Sequence, residues 1–362
     1  MRYFIKVALV FIFLKAEAQH QFPEIHLDAY LETYLMQETG SASNNILPSF
    51  FYSFNRLNEV NINHSFFQVS VDEENYRGEL ALMAGTYANA NLADEPGVLQ
   101  NIYRANVGVK LSKKHQLWLD MGVFDAHIGF ESAIGADVQT MTRSVLAENS
   151  PYYFAGAKLN YTTSDDSWDF ALLYLNGWQR IQRVDGNSTP AFGHQVSYKP
   201  NEKWLLNSSS FVGNDFPDDE KRMRYFHNFY TQYQASEKLF FTLGFDVGWE
   251  QKERNNSNYN QWYSPVFVGT YRFSEKSSLT LRGELYSDPN QVIVDVEQAE
   301  SFRVYGWSIN YDYALYPNIL WRIEARNLRS REQLFMTTEN QFSSNLFFVG
   351  TSLSVYLQKK VQ

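Results

Sequence analysis

The sequence predicts an all-β chain closed into a transmembrane antiparallel β-barrel of about sixteen strands. Segments of about ten residues alternate apolar and polar side chains, the period-two pattern of a strand with one apolar and one polar face. The connections are alternately short and long, like the periplasmic turns and extracellular loops of such barrels. The chain also opens with the layout of an export signal.

That opening is residues 1–18. Arg2 and Lys6 form a basic region, Val7 to Leu14 an apolar core too short to span, and Ala16-Glu17-Ala18 a small-x-small cleavage site. A buried N-terminal strand or helix would not explain why the three regions line up. The mature barrel is expected to begin at Gln19 and occupy 19–362 as one domain, with no linker or composition shift. Arg2, Lys6, Lys15 and Glu17 carry a net +2, so cleavage takes the formal charge from −9 to −11. Such acidity disfavours nucleic acid as a partner.

The alternating segments run first over 24–37, 60–71, 77–88, 102–111, 116–130, 152–163, 168–182 and 190–199. They continue over 203–213, 222–235, 238–250, 259–273, 277–288, 301–315, 319–330 and 344–357. The first strand has Asp28 and Glu32 on its polar face, the third Arg77 and Glu79, the fourth Arg104 and Lys110, the sixth Lys158. On the seventh, Trp168, Phe170, Leu172, Tyr174 and Trp178 share a face. About ten residues at ~3.3 Å rise, tilted, match a lipid-facing band of ~25 Å, which predicts one Trp at each interface. The tenth strand places Arg222 and Arg224 inward.

The eleventh shows the pattern best. Leu239, Phe241, Leu243, Phe245, Val247 and Trp249 alternate with Thr242, Gly244, Asp246, Gly248 and Glu250. The twelfth carries Arg272 and the thirteenth Arg282 and Glu284. The fourteenth turns Tyr305, Trp307, Ile309, Tyr311, Tyr313 and Leu315 outward, with Asp312 opposite. The fifteenth lines up Arg322, Glu324 and Arg326. The last presents Phe347, Val349, Thr351, Leu353, Val355 and Leu357. A soluble sandwich also alternates, but its rings would not gather at strand ends.

Short polar connections fall at 72–75, 112–115, 164–167, 200–202, 236–237, 274–276 and 316–318. Longer ones lie between them at 38–59, 89–101, 131–150, 183–189, 214–221, 251–258, 289–300 and 331–343. Both chain ends then face the periplasm. Residues 50–58 read as loop or as an upward extension of the next strand, because a seventeenth strand would break the even count. Within 131–150, a short helix is expected over Val138 to Asn149. The loop either folds inward as a constriction or caps the outer rim.

Composition agrees with a barrel. Aromatics reach 17%, Cys is absent, and mean hydropathy is −0.40. No run after the N-terminus approaches the ~18–20 apolar residues of a membrane helix. No catalytic or phosphate-binding motif is present, so no enzyme, cofactor or metal is expected. The seven His are scattered. His194 or His227 beside a Ser would suit a barrel lipase, but their spacing singles out neither. Asp215, Asp218, Asp219 and Glu220 read as a solvated acidic loop rather than a calcium site.

One set of segments goes beyond pattern. Ala84-Gly85-Thr86-Tyr87, Val123 to Glu131, Thr142-Arg143-Ser144, Ala147 to Tyr153 and Tyr174 to Trp178 together resemble the OmpL-like beta-barrel porin family. The resemblance implies a bacterial outer-membrane barrel with passive porin activity and no catalytic residues to carry over. It implies as partners the lipid bilayer with lipopolysaccharide, the barrel-assembly machinery, and small polar solutes. One departure is the C-terminus, where Gln358 to Gln362 follow the last strand and Tyr356 is the nearest aromatic.

The expected function is a diffusion channel for small polar solutes or ions, its selectivity set by wall charge and loop constriction. The expected lumen-lining residues are Arg104, Lys158, Arg224, Asp246, Arg272, Arg282, Glu284, Arg322, Glu324 and Arg326. Arg282 and Arg322 are expected in a basic ladder opposite acidic loop residues. The surplus acidity at 215–220 and 295–300 points to cation preference at the mouth. Charges of both signs also fit a plugged structural or adhesive barrel.

Overall fold

The computed structural model describes residues 23–38, 45–296, 299–337 and 341–361. The expected signal peptide, 1–18, lies outside the described residues.

The barrel strands are β1 (Ile25–Glu38), β2 (Val60–Asp72), β3 (Tyr76–Ala84), β4 (Ile102–Lys110), β5 (Gln116–Asp125), β6 (Tyr153–Thr162), β7 (Trp168–Leu175) and β8 (Ala191–Asn201). Then come β9 (Trp204–Gly213), β10 (Arg224–Gln234), β11 (Leu239–Gln251), β12 (Tyr259–Ser274), β13 (Ser277–Asp288), β14 (Phe302–Tyr316), β15 (Ile319–Ser330) and β16 (Asn345–Val361). Each pairs antiparallel with its chain neighbours. β1 closes on β16 in a register running from Ile25 opposite Val361 to Glu38 opposite Phe348. Closure satisfies every strand edge inside the sheet, as hydrocarbon surroundings require.

The outer wall is apolar. Leu243 is 53% exposed, Leu281 53% and Leu353 45%, values suited to lipid contact rather than water. Rings mark the rims: Trp168 stacks on Tyr198 with centroids 4.0 Å apart, and Trp204 on Tyr233 at 4.1 Å. Trp178 departs from the expected interface pair. β7 stops at Leu175, and the Trp178 amide N–H donates to Asp215 Oδ1 at 2.9 Å. Its ring therefore turns into the barrel, edge-on to Phe211 and Phe226.

The inside is largely filled by two loops from the long-connection end. Residues 50–58 form no strand; a single bridge pairs Ile46 with Arg56. Phe50, Phe51, Phe54 and Leu57 are buried in the interior. A bulge at Asn63 admits them. There Asn63 accepts from the Phe54 amide at 2.8 Å and donates to Glu32 at 2.9 Å. Gly85 follows β3 at φ +127°, and a Cβ there would lie 2.3 Å from the Asn63 carbonyl. The chain thus leaves the wall at 84, not 88, and forms the short helix α1 (Thr86–Asn91).

The loop 126–152 goes deepest. β5 ends at Asp125 instead of 130. The neck is closed by the Ala126 amide donating to the Tyr152 carbonyl at 3.0 Å. The expected helix shrinks to one turn, α2 (Val145–Glu148), capped by Ser144 Oγ, which accepts from the Ala147 amide at 3.1 Å. Residues 138–142 form a series of bends instead of helix, because the wall takes their backbone groups. The Met141 amide donates to Asn310 at 3.0 Å, and the Thr142 amide to Glu324 at 2.6 Å.

A candidate translocation pathway

The site follows from register. Inward positions recur every second residue, so β13, β14 and β15 bring Arg282, Glu284, Asp312, Arg322, Glu324 and Arg326 onto one interior face. Arg282 and Arg326 both flank Ser308, and Asp312 lies opposite Arg322. Glu284 lies 2.7 Å from Arg326 and 3.4 Å from Arg282. Glu324 lies 2.8 Å from Arg282, and Asp312 2.8 Å from Arg322.

The arginines also grip the loop. Arg282 donates to the Thr142 carbonyl at 2.6 Å and to Thr140 Oγ1 at 2.9 Å. Arg322 donates to the carbonyls of Gly135 and Val138 at 2.6 and 2.7 Å, and Arg326 to that of Arg143 at 2.8 Å. Glu284 accepts from the Val145 amide at 2.7 Å. The acidic loop partner of the ladder is Glu131, 4.0 Å from Arg282. Burial raises the Glu131 carboxyl above its usual range, while Arg282 works against that shift. Guanidiniums suit such a clamp, because each offers five donors in a fixed fork.

On the opposite wall, His127 Nε2 donates to the Ser210 carbonyl at 2.8 Å, and Gln195 donates to the His127 carbonyl at 3.1 Å. Burial lowers His127 to about 4, so the ring is neutral. Asp246 fixes the return limb, accepting from Ser150 Oγ at 2.7 Å. The loop therefore spans the lumen from the β8–β9 wall to the β13–β15 wall.

Open space remains at both ends. The lower chamber, about 530 Å³, lies toward the short turns and is lined by Arg77, Arg104, Asp120, Asp125 and Lys158, among others. Arg77 pairs with Asp120 at 2.7 Å, Arg104 pairs with Asp125, and the Lys158 ammonium sits 5.0 Å over the Phe124 ring. The upper chamber, about 320 Å³, is lined by Tyr52, Asp94, Glu148, Trp178, Arg180 and Arg224. There Arg224 lies over the Trp178 ring at 5.2 Å and pairs with Glu250 and Asp215 at 2.6 and 3.2 Å. A further space of about 240 Å³ runs along the loop from Asp125 to Tyr152. Ser150 lines the upper chamber, while Pro151 and Tyr152 line the space below.

Glu148 bridges the two loops at this seam. Its carboxylate accepts from the Tyr52 and Ser53 amides at 2.8 and 3.1 Å and from the Ser53 hydroxyl. Burial pushes it up to about 7, against the lowering effect of those hydrogen bonds.

The ten predicted lumen residues thus separate. Arg104 and Lys158 line the lower chamber and Arg224 the upper. Arg282, Glu284, Arg322, Glu324, Arg326 and Asp246 face inward but are buried against the loop. Arg272 is exposed near the short-turn end of β12 and lines neither chamber. Asp218 accepts from the Ser188 amide at 3.0 Å, tying two loops together, and Asp215 pairs with Arg224.

The sequence model of the family described as "Putative beta-barrel porin-2, OmpL-like" matches residues 24–355. The chain belongs to this porin family. It is an outer-membrane β-barrel and a passive diffusion channel. The fold agrees with solved porins. The outer-membrane channel DcaP of Acinetobacter baumannii is 10% identical, with a TM-score of 0.60, over 92% of this chain and 97% of that one. The anion-selective porin of Comamonas acidovorans is 8% identical, with a TM-score of 0.59, over 92% and 99%. Salmonella typhi OmpF is 9% identical, with a TM-score of 0.60, over 92% and 98%. No curated protein matches the chain. Residues of this porin that sequence reasoning missed, including Glu131, Thr142, Glu148 and Ser150, lie in or beside the segments that carried the family resemblance. That clustering within one loop was the available signal.

Proposed function

We propose that small polar solutes and ions cross between the upper and lower chambers through the seam at Ser150–Pro151–Tyr152, without chemical change. The observation that carries this reading is the pair of charged chambers on either side of one inserted loop. Arg104, Lys158 and Arg224 line the route. The buried set Arg282, Glu284, Arg322, Glu324, Arg326 and Asp246 sets its width by holding the loop. Lipopolysaccharide around the long-loop rim and the barrel-assembly machinery are the partners this reading takes.

The rival reading, a plugged barrel, is favoured by the buried rings of Phe50, Phe51 and Phe54. Planar-bilayer recordings of purified protein separate the two. The channel reading expects small, steady conductance steps that grow several-fold when 135–142 are replaced by a short Gly-Ser link. Silence from both proteins identifies a plug. A serine-reactive probe is expected to leave the folded barrel unlabelled.

A further inference from the structure

Among the described residues, the outer wall carries a cluster of polar side chains on β8–β10. Outward positions on β8 are Phe192, His194, Val196 and Tyr198. On β9 they include Leu206, Ser208 and Ser210, and on β10 Tyr225, His227 and Phe229. Register places His194 opposite Ser210, and Ser210 opposite His227. The row is flanked by apolar neighbours, Leu172 beside His194 and Val247 beside His227. Phe192 and Tyr225 lie above it, and Tyr198 and Trp204 below. The four polar side chains therefore sit within the lipid-facing band, where polar groups are expensive.

Hydrogen bonding inside the island is incomplete. Ser210 Oγ is 2.6 Å from His194 Nδ1, and Ser208 Oγ is 2.9 Å from His227 Nε2. The imidazole centroids are 5.5 Å apart. The other nitrogen of each ring has no hydrogen-bond partner among the described residues. Three hydroxyls elsewhere on the wall bond to their own sheet, while that of Thr231 on β10 finds no partner among the described residues. Thr33 donates to the Leu353 carbonyl at 3.3 Å, Ser65 to that of Ala84 at 3.0 Å, and Thr351 to that of Arg322 at 2.8 Å. Exposed to lipid, the two free imidazole nitrogens would find nothing to bond.

We infer that the β8–β10 face is the contact of a twofold dimer with a second copy of this chain. A neutral imidazole has one donor and one acceptor nitrogen, so two copies of the island complement each other. A twofold axis along the membrane normal keeps both chains correctly oriented and needs one self-complementary patch. A cyclic trimer needs two different faces. Ser210 is small and lies between the two imidazoles, with Ser208 beside it bonding His227, so the walls approach most closely there, with a His on each side bonding across. Lipopolysaccharide sugars are a poorer fit, because the island lies between the aromatic rims and not above them.

The chain has no cysteine, which makes a direct test available. Ser210→Cys in native outer membranes is expected to give an oxidant-dependent band at twice the monomer mass, and Leu281→Cys, on another part of the wall, none. His194→Leu/His227→Leu is expected to shift detergent-free nanodisc particles from two chains to one while keeping the heat-modifiable gel shift of a folded barrel. If Ser210→Cys fails to assemble, Ser208→Cys takes its place. The inference is overturned if the folded cysteine variant stays monomeric, or if the double leucine variant keeps its two-chain particles. It also fails if a fluorophosphonate labels Ser208 or Ser210 in a His-dependent way, which would make the island a hydrolytic site.

Discussion

Arg282 shows at single-residue scale how this porin holds its lumen. The guanidinium is buried, 2.8 Å from Glu324 and 3.4 Å from Glu284, with Thr140 and Thr142 taking further donors. Buried ion pairs add little net stability compared with apolar packing, but breaking one strands a charge at a cost of roughly 3–5 kcal/mol. Arg282→Met is therefore expected to lower unfolding free energy in lipid vesicles by about that amount. Arg282→Met/Glu324→Gln should recover much of the loss, because the stranded carboxylate goes with its partner. The cycle also reports on the loop, since both side chains bond Thr142. The bilayer conductance of the single variant is expected to rise as 140–143 detach. A single variant within about 1 kcal/mol of the parent would show that water already screens the cluster.

The loop 126–152 is the element that crosses the lumen, and Glu148 couples it to the loop 45–59. Because the carboxyl is raised to about 7, the folded state binds its proton more tightly than the unfolded chain does. That stabilisation is fully present below the ordinary carboxylate range and is lost as pH rises through about 7. It is worth up to about 3 kcal/mol. Raising the pH from 5 to 8 should thus loosen the two loops, read as faster protease cleavage within 45–59 and larger conductance. Glu148→Gln keeps a carbonyl acceptor for the Tyr52 and Ser53 amides and should flatten both pH profiles. A Gln variant that retains the full pH response would move the titration to another group. Much of this element's surroundings was legible in the sequence. Period-two alternation located every wall strand, because one face meets lipid and the other does not. It overran the ends of β3, β5 and β7, where Gly85, the neck at Ala126 and the Asn176–Gln179 turn take the chain off the wall while polarity still alternates. It identified Arg282, Arg322 and Arg326 as inward. It had no means of placing the loop against them, since those bonds go to backbone carbonyls that every residue possesses.

For the whole molecule, charge links composition to transport. The chain carries a formal −9, and its charged pairs cancel unevenly along the route. In the lower chamber Arg77 neutralises Asp120 and Arg104 neutralises Asp125. That leaves Lys158 against Asp72, Glu79 and Asp169 on the same walls. Glu79 accepts from Asn106 at 2.7 Å and Asp169 from Asn160 at 2.7 Å, so both carboxylates are held in place by neutral donors. A low-dielectric wall with excess fixed negative charge concentrates cations. The folded channel should therefore pass K⁺ in preference to Cl⁻ by a few-fold, read from the reversal potential across a salt gradient. The preference should shrink as salt rises, because the screening length falls from about 10 Å at 0.1 M to about 3 Å at 1 M. Glu79→Gln/Asp169→Asn leaves both ion pairs and the loop intact and should bring the permeability ratio close to unity. Anion preference in the parent, or a ratio that the double variant leaves untouched, would place the selectivity filter elsewhere, in the upper chamber where Arg180 and Arg224 face Asp94 and Glu148.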